Sequence, residues 1–336
     1  MSLEQAFNHL SDIRTFLLRG EGIDVSVSNF GAKIFRLSVP NDRGEWKDIV
    51  LGFNAIQDWI LYEPYFNAVI GRYANRIKNG TFALDGTVYH LNRNDNNNTL
   101  HGGLHGFHEK MWDVEQVSDN AVTFHYFSPD GEENFPANLD VWVTYEVADH
   151  ALSISFRAHA DRLTVVSLTQ HAYLNLAGEG NPSVADHLLQ IFADYYTPFD
   201  DTACPTGVIA PVHNTLLDFR QPVRIGDRMF APQFDAWRGI NENFILSDKA
   251  PMKKAAVLSA DGRTLTVYTS MPGLQLYTGG YIESHIGKSR QPYGPHCALC
   301  LEPQYFPDSP NHPHFPSTRI SPQHDFNETI KFVFSH

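Results

Sequence analysis

Alternation with a period of two dominates the chain. In the stretch LDVWVTYEV, Leu139, Val141, Val143, Tyr145 and Val147 alternate with Asp140, Trp142, Thr144 and Glu146. ALSISFRAHA follows, with Leu152, Ile154 and Phe156 on one face and Ser153, Ser155 and Arg157 on the other. Successive side chains of a strand point to opposite faces, so these runs predict half-buried antiparallel strands. Asp-Gly pairs punctuate such runs at 85–86, 130–131 and 261–262. The last, in AAVLSADGRTLTVYT, has the form of a two-residue hairpin, because a type I′ turn needs positive φ at both central residues. Helical periodicity is confined to short segments around Ile56–Tyr62 and Val223–Phe230. The expectation is an all-β fold: one large antiparallel β-sandwich, residues 1–336 forming a single domain, with proline-rich loops folded over its sheet edges.

Composition narrows the class. The 20 prolines and 23 glycines are scattered as punctuation and do not gather into a linker. The chain is 42% hydrophobic and 19% charged, and it lacks an apolar run long enough to span a bilayer. The N-terminal stretch MSLEQAFNHLSDIRTF carries neither the basic nor the apolar block of a secretory signal, so a cytoplasmic location is expected. Three cysteines are too few for a disulfide framework and fit a reducing compartment. A formal net charge of −13 argues against nucleic acid or anionic membrane as partner and suits an enzyme of neutral small molecules.

Residues able to do chemistry gather beside glycines and aromatics in GRYANRIKNGTF (71–82), NTLHGGLHGFHEKMW (98–112), LTQHAYLNLAGEG (168–180) and ALCLEPQYFPDSPNHPHFP (298–316), together with PGLQLYTGGYI (272–282). His101, His105 and His108 are spaced as a helix would space imidazoles around a metal ion, but Gly102, Gly103 and Gly106 oppose a helix there. Glu302 follows the apolar run HCALCL and precedes Pro303. A carboxylate so placed loses hydration, which raises its pKa and strengthens it as a base; the structural alternative is a strand-end glutamate paired to an arginine. His171 ends a similar apolar strand, where a histidine is either a satisfied core residue or a proton donor. Arg76 is either a surface cation or a planar fork of donors for a sugar or carboxylate.

Taken in order, GRYANRIKNGTFALDG, LHGGLHGF with the later Trp112, QHAYLNLAG, YYTPFDDTACPTGVIAPV, LQLYTGGYI and CLEPQYFPDSPN resemble the motifs of the aldose 1-epimerase (galactose mutarotase) family. The resemblance runs from Asn29-Phe30-Gly31-Ala32 to ISPQ near the C-terminus. It implies the galactose mutarotase-like supersandwich and a reaction that interconverts the α and β anomers of a free aldose without metal or cofactor. Carried over residue by residue, it implies Glu302 as general base, His171 as general acid, and Asn75, Arg76, His101 and Gln275 as sugar-binding residues. His105 and His108 fall at positions the pattern leaves open and are expected to tolerate replacement. The chemistry suits these residue types: one group takes the proton from the C1 hydroxyl, another gives one to the ring oxygen, and the two exchange roles on reclosure. Tyr173 is a candidate floor for the sugar, and Trp112 is assigned to the core. The oligomeric state expected is monomer or homodimer.

Departures from the family pattern are few. Gln170 stands before His171 where asparagine is frequent. In RGINENFIL, Asn241 and Glu242 stand where the family has aspartate and histidine. That aspartate is a sugar ligand, so Asn241 is placed in the site with an altered hydroxyl preference, away from galactose. Cys297-Ala-Leu-Cys300 is a lone CxxC, read as neither a redox pair nor a zinc site. His312 and His314 are read as loop residues. Rival functions are a non-catalytic carbohydrate-binding protein on the same sandwich, a sugar-phosphate epimerase using Arg72 or Arg93 beside Arg76, and a glycosidase using Asp308 or Glu242 opposite Glu302.

Overall fold

Three larger antiparallel sheets organise the computed structural model, which describes residues 10–336. The reading of the N-terminal stretch falls largely on residues 1–9, outside the described part. A nine-stranded sheet runs in the order Asp113–Val117, Ala121–Ser128, Leu139–Ala148, Ala151–Ala160, Phe326–Ser335, Arg263–Thr269, Lys253–Ala260, Leu188–Ile191, Val223–Arg224. A six-stranded sheet runs Tyr173–Leu174, Leu299–Gln304, Gly273–Tyr277, Asn241–Leu246, Ala193–Tyr196, Ala210–Pro211. The four strands Thr15–Gly20, Ile23–Ser28, Ile34–Pro40 and Trp46–Asp48 form a meander. No helix among the described residues is long and apolar enough to cross a membrane.

The period-two reading holds where it was sharpest. Leu139–Ala148 buries every second residue, Leu139 to Val147, and pairs in full register with Ala151–Ala160. Apolar faces of the three sheets meet in one core: Val25 and Leu37 from the meander, Tyr145, Phe156 and Ile330 from the nine-stranded sheet, Phe244, Leu274 and Leu301 from the six-stranded one. Trp112 belongs to this core, as its sequence setting suggests.

Turn chemistry accounts for the boundaries. Asp261-Gly262 closes a two-residue hairpin between Ala260 and Arg263, with φ of 50° and 68°. Asp85-Gly86 does the same between Leu84 and Thr87. Asp130-Gly131 does not: it opens the loop 129–138, which contains the 3-10 turn Glu132–Asn134. A hairpin missed by the Asp-Gly rule turns at Asp149-His150, both with positive φ. The segment Ile56–Tyr62 forms the helix Ile56–Leu61. Val223–Phe230 divides into the edge strand Val223–Arg224 and the single turn Gly226–Met229, because pairing of Val223 with Leu189 claims the first residues for the sheet.

Arg263 ties two sheets together. Its buried guanidinium donates to the carbonyls of Val39, Glu45 and Leu176 and to Asp261 Oδ2. One planar donor fork thus satisfies carbonyls from the meander and from the end of the six-stranded sheet. Replacing Arg263 by Met strands those acceptors and should cost about 3–5 kcal/mol in urea unfolding; a loss below about 1 kcal/mol would show that water takes over their bonding.

Candidate active site

The site is built on a strand buried on both faces. Leu299–Gln304 has no exposed residue; Leu299 and Leu301 enter the core, while Cys300 and Glu302 share the opposite face. On the next strand Gln275 lies opposite Glu302 and Tyr277 opposite Cys300. One strand further, Asn243 lies opposite Gln275 and Asn241 opposite Tyr277. A polar row therefore crosses three strands on the face turned away from the core. The strand-end reading of Glu302 is corrected: the strand continues through Pro303 to Gln304. Pro303 is tolerated because the ladder with Tyr173–Leu174 stops at Cys300, and its carbonyl accepts a 2.6 Å bond from Thr169 Oγ1. No arginine meets Glu302. Its charged-group neighbour is His171, with Nε2 3.5 Å from Oε2.

His171 is held by its backbone. Its N–H donates to Ala68 O and its carbonyl accepts from Asn67 N–H. Asn67, in the left-handed region at φ 51°, also donates through Nδ2 to Leu51 O (2.7 Å) and accepts Tyr173 N–H at Oδ1 (2.9 Å). Gln170 spans from Tyr145 OH (2.6 Å) to the Asn67 carbonyl (2.5 Å), so the longer amide at this departure locks the histidine strand to the core. The His171 ring stacks on Tyr173 at 4.8 Å and meets His101 edge-on at 5.2 Å.

His101 sits at φ 53° at the start of the glycine turn. Gly102 follows at φ 89°, where a Cβ would lie 2.0 Å from the Gly71 carbonyl; only glycine fits. The Asn75 backbone N–H donates to His101 Nδ1 at 3.2 Å, which leaves the proton of the neutral ring on Nε2. Asn75 Nδ2 donates to Gln275 Oε1 (3.2 Å), Gln275 Nε2 to Asn241 Oδ1 (2.8 Å), and the Arg76 N–H to Asn75 Oδ1 (2.9 Å). Arg76 pairs with Asp95 through Nε at 2.6 Å.

All seven residues singled out from the sequence, Asn75, Arg76, His101, His171, Asn241, Gln275 and Glu302, line one open pocket of about 460 Å³. Tyr173 also lines it. The sequence reading missed Tyr65, Asp95, Asn96, Trp237, Tyr277 and Tyr281, which line it together with Glu63, Pro64 and Leu100. The period-two alternation of LQLYTGG could have found Tyr277, which shares a face with Gln275. Tyr65 and Asp95 lie in irregular segments where no periodicity marks a face. The three-histidine cluster comes apart: His105 is exposed and 3.0 Å from Glu109, whereas His108 is buried against Tyr65, 4.7 Å between ring centres. His108 is thus packed in the interior while His105 faces solvent, so the two histidines outside the matched pattern differ in burial. His312 and His314 stand away from the pocket, beside Asp308 and the Gly207 carbonyl. Asp308 is bonded to Lys78 N–H and Asn311 Nδ2, and Glu242 lies on the strand position between Asn241 and Asn243, facing the other way. Neither stands opposite Glu302 in the pocket. Arg72 is spent on the carbonyls of Ser128, Pro136 and Ala137, and Arg93 on that of Asn79, which leaves Arg76, already paired, as the pocket's guanidinium.

Burial sets the proton inventory. It raises the Glu302 carboxyl to about 8 and lowers His171 to about 3. His101 is driven well below its ordinary value by burial and by the nearby His171 and Arg76. Between these limits the Glu302–His171 pair holds one proton. The site thus brings together a carboxyl and an imidazole that share one proton, a second neutral imidazole and a row of amides, a set able to move protons between neighbouring hydroxyls.

The chain belongs to the aldose 1-epimerase family: the model of that family matches residues 14–333. It is 42% identical to the galactose mutarotase of Rattus norvegicus over 96% of this chain and 94% of that protein. It is 34% identical to the aldose 1-epimerase of Escherichia coli over 95% and 94%. Among solved structures, the GalM/aldose epimerase homologue from C. elegans superposes with a TM-score of 0.90 at 31% identity, covering 96% of this chain and 99% of that one. The enzyme class is therefore an isomerase, and the fold is the galactose mutarotase fold.

The raised carboxyl has a consequence for stability. Glu302 keeps its proton to about pH 8 in the fold, whereas the unfolded carboxyl releases it near 4.5. A pKa raised by folding favours the folded state below the unfolded value and is increasingly unfavourable as pH rises towards the folded value, by about 3 kcal/mol at neutral pH. Glu302→Gln should therefore lose less stability than the parent between about pH 5 and pH 8 in urea titrations. Equal losses would show that the carboxyl is not desolvated.

Proposed function

We propose that Glu302 and His171 carry out the mutarotation of a free aldose in this pocket, with Glu302 as base, His171 as acid, and residues 1–336 acting as one domain. The observation that carries this reading is the 3.5 Å separation of Nε2 and Oε2 at the bottom of an amide-lined pocket. Two groups so close can address two oxygens bonded to one carbon, here the C1 hydroxyl and the ring oxygen. In the empty pocket burial keeps the shared proton on the carboxyl. Sugar hydroxyls donating to the carboxylate favour its ionised form, and the proton then passes to the imidazole. Glu302 takes the C1 hydroxyl proton while His171 gives its proton to the ring oxygen. The ring opens, C1–C2 rotates, and closure on the other face of the aldehyde reverses both transfers. The His101 Nε2–H and the Arg76 guanidinium stabilise negative charge that develops on oxygen. Asn75, Gln275 and Asn241 bind hydroxyls, and Tyr173 supplies an apolar wall.

The pocket's single guanidinium, already engaged by Asp95, is a poor receiver for a phosphate, which weighs against a sugar-phosphate epimerase. The pocket's other carboxylates are engaged, Asp95 by Arg76 and Glu63 by the Glu283 N–H, and neither falls in a matched motif, which weighs against a glycosidase. A passive sugar binder would have no use for a buried acid whose burial destabilises the fold.

Polarimetry on freshly dissolved α-aldose tests the assignment. Glu302→Gln and His171→Asn should each lower kcat by about 10²–10⁴-fold with a smaller change in KM. Substantial turnover by Glu302→Gln would remove Glu302 as the base. The parent's kcat/KM should be level through neutral pH and fall about tenfold per unit beyond about pH 8, where the pair loses its only proton. Asn241 offers an N–H donor where a carboxylate offers only acceptors, so the hydroxyl preference should move away from galactose. Specificity constants for galactose, glucose, xylose, arabinose and fucose decide this, and a strong preference for galactose would refute it.

A further inference from the structure

The strand that carries Glu302 brings a thiol to the same place. Cys300 is two residues back on the same face, wholly buried beside Tyr173 and Tyr277. A ligand atom from each of His171, Cys300 and Glu302 lies within 4.8 Å of the other two. We propose that these three side chains form a site for a thiophilic divalent cation such as zinc, and that its occupation shuts down the acid–base pair.

Four observations carry the assignment. The donor set is one thiol, one imidazole and one carboxylate, which are the ligand types zinc takes in three-ligand sites that keep a fourth position open. Zinc bonds of about 2.0–2.3 Å in tetrahedral array set neighbouring ligand atoms about 3.5 Å apart, the separation already present between His171 Nε2 and Glu302 Oε2. Cys300 Sγ, within 4.8 Å of both other ligand atoms, closes the third corner with a movement of at most about 1.3 Å, within the reach of a χ1 adjustment. Glu302 Oε2 is buried without a hydrogen-bond partner, a lone pair waiting for a cation or a donor. Finally, two of the three corners, His171 and Glu302, line the 460 Å³ pocket, so an ion held there can take water or a sugar hydroxyl as its fourth ligand and arrive by the sugar's own route.

Binding is a ligand exchange with no redox step. The cation displaces the thiol proton of Cys300 and the single proton of the Glu302–His171 pair, both of which leave to solvent. The resulting thiolate and carboxylate neutralise the divalent charge in a buried setting. Magnesium and calcium, which demand oxygen ligands, do not suit this set. The lone CxxC is not the site: of its two cysteines only Cys300 joins His171 and Glu302.

The inhibitory effect rests on the mutarotase reading, whereas the binding does not, and the test separates them. Mutarotation of α-glucose and α-galactose is followed by polarimetry in metal-free buffer as zinc chloride is added, then as EDTA is added. Cobalt(II) is titrated in parallel and its thiolate charge-transfer absorption recorded. The parent should be inhibited, recover with EDTA, and show the band. Cys300→Ala should keep its metal-free rate, lose zinc sensitivity by more than about a hundredfold, beyond the 10–100-fold that a mere second-shell loss costs, and show no band. Cys300→Ser, closer in size, guards against a folding defect, since a hydroxyl gives no thiolate band. Equal zinc inhibition of parent and Cys300→Ala, or a parent without the cobalt band, overturns the proposal. A band in a parent that does not mutarotate any aldose would retain the cation site and refute the catalytic reading.

Discussion

Burial of one strand on both faces is the constraint from which the rest follows. Along Leu299–Gln304 the period of two sends Leu299 and Leu301 into the main core, while on the other face Glu302 lines the pocket and Cys300 packs in the aromatic cluster beside it. Because neither face has access to bulk water, the polar face must find its partners in protein or in a ligand. The fold meets that demand unevenly. Gln275 and the Gln304 amide nitrogen find amides, whereas Glu302 Oε2, Gln304 Oε1 and His171 Nδ1 go without. Burial raises the Glu302 carboxyl to about 8 and lowers the His171 imidazole to about 3, so between those limits the two hold a single proton between them.

Stability is sacrificed locally and recovered elsewhere. Desolvation of Glu302, and likewise of Glu242, works against folding at neutral pH, since both carboxyls are raised to about 8 by burial alone. Opposing this are the continuous apolar core shared by three sheets and buried guanidinium hubs such as Arg72 and Arg263 that saturate loop carbonyls. The hubs stand outside the pocket. Rigidity is therefore imposed from behind, through Asn67, Gln170 and Tyr145, on a histidine whose ring makes no hydrogen bond of its own at Nδ1.

How much of this was legible before the structure depended on periodicity. Strands with strict alternation, Leu139–Ala148 and Ala151–Ala160, and the Asp-Gly hairpins at 85–86 and 261–262 followed from local rules. Asp130-Gly131 misled because the dipeptide specifies a turn and not the length of loop around it. Within the site, the seven residues read from motifs converge on one pocket, but Tyr65, Asp95 and Trp237 lie in turns and short 3-10 segments whose placement is set by tertiary packing. His108 illustrates the same limit from the other side: three histidines within one glycine-rich turn share a composition, yet one lines the pocket, one packs behind it and one faces solvent.

The row of amides along the pocket wall has a direction, and that direction is set at one end. The backbone N–H of Arg76 holds Asn75 Oδ1, so the Asn75 amide nitrogen must point at Gln275, whose own nitrogen must then point at Asn241 Oδ1. A main-chain amide cannot flip, so none of the three side chains is free to reverse without breaking the chain of bonds. What remains unspoken for at the far end is the Asn241 Nδ2 group. A single peptide bond on one side of the cavity thereby dictates, three residues and two strands away, that the Asn241 amide spends its acceptor within the row and leaves its donor outside it.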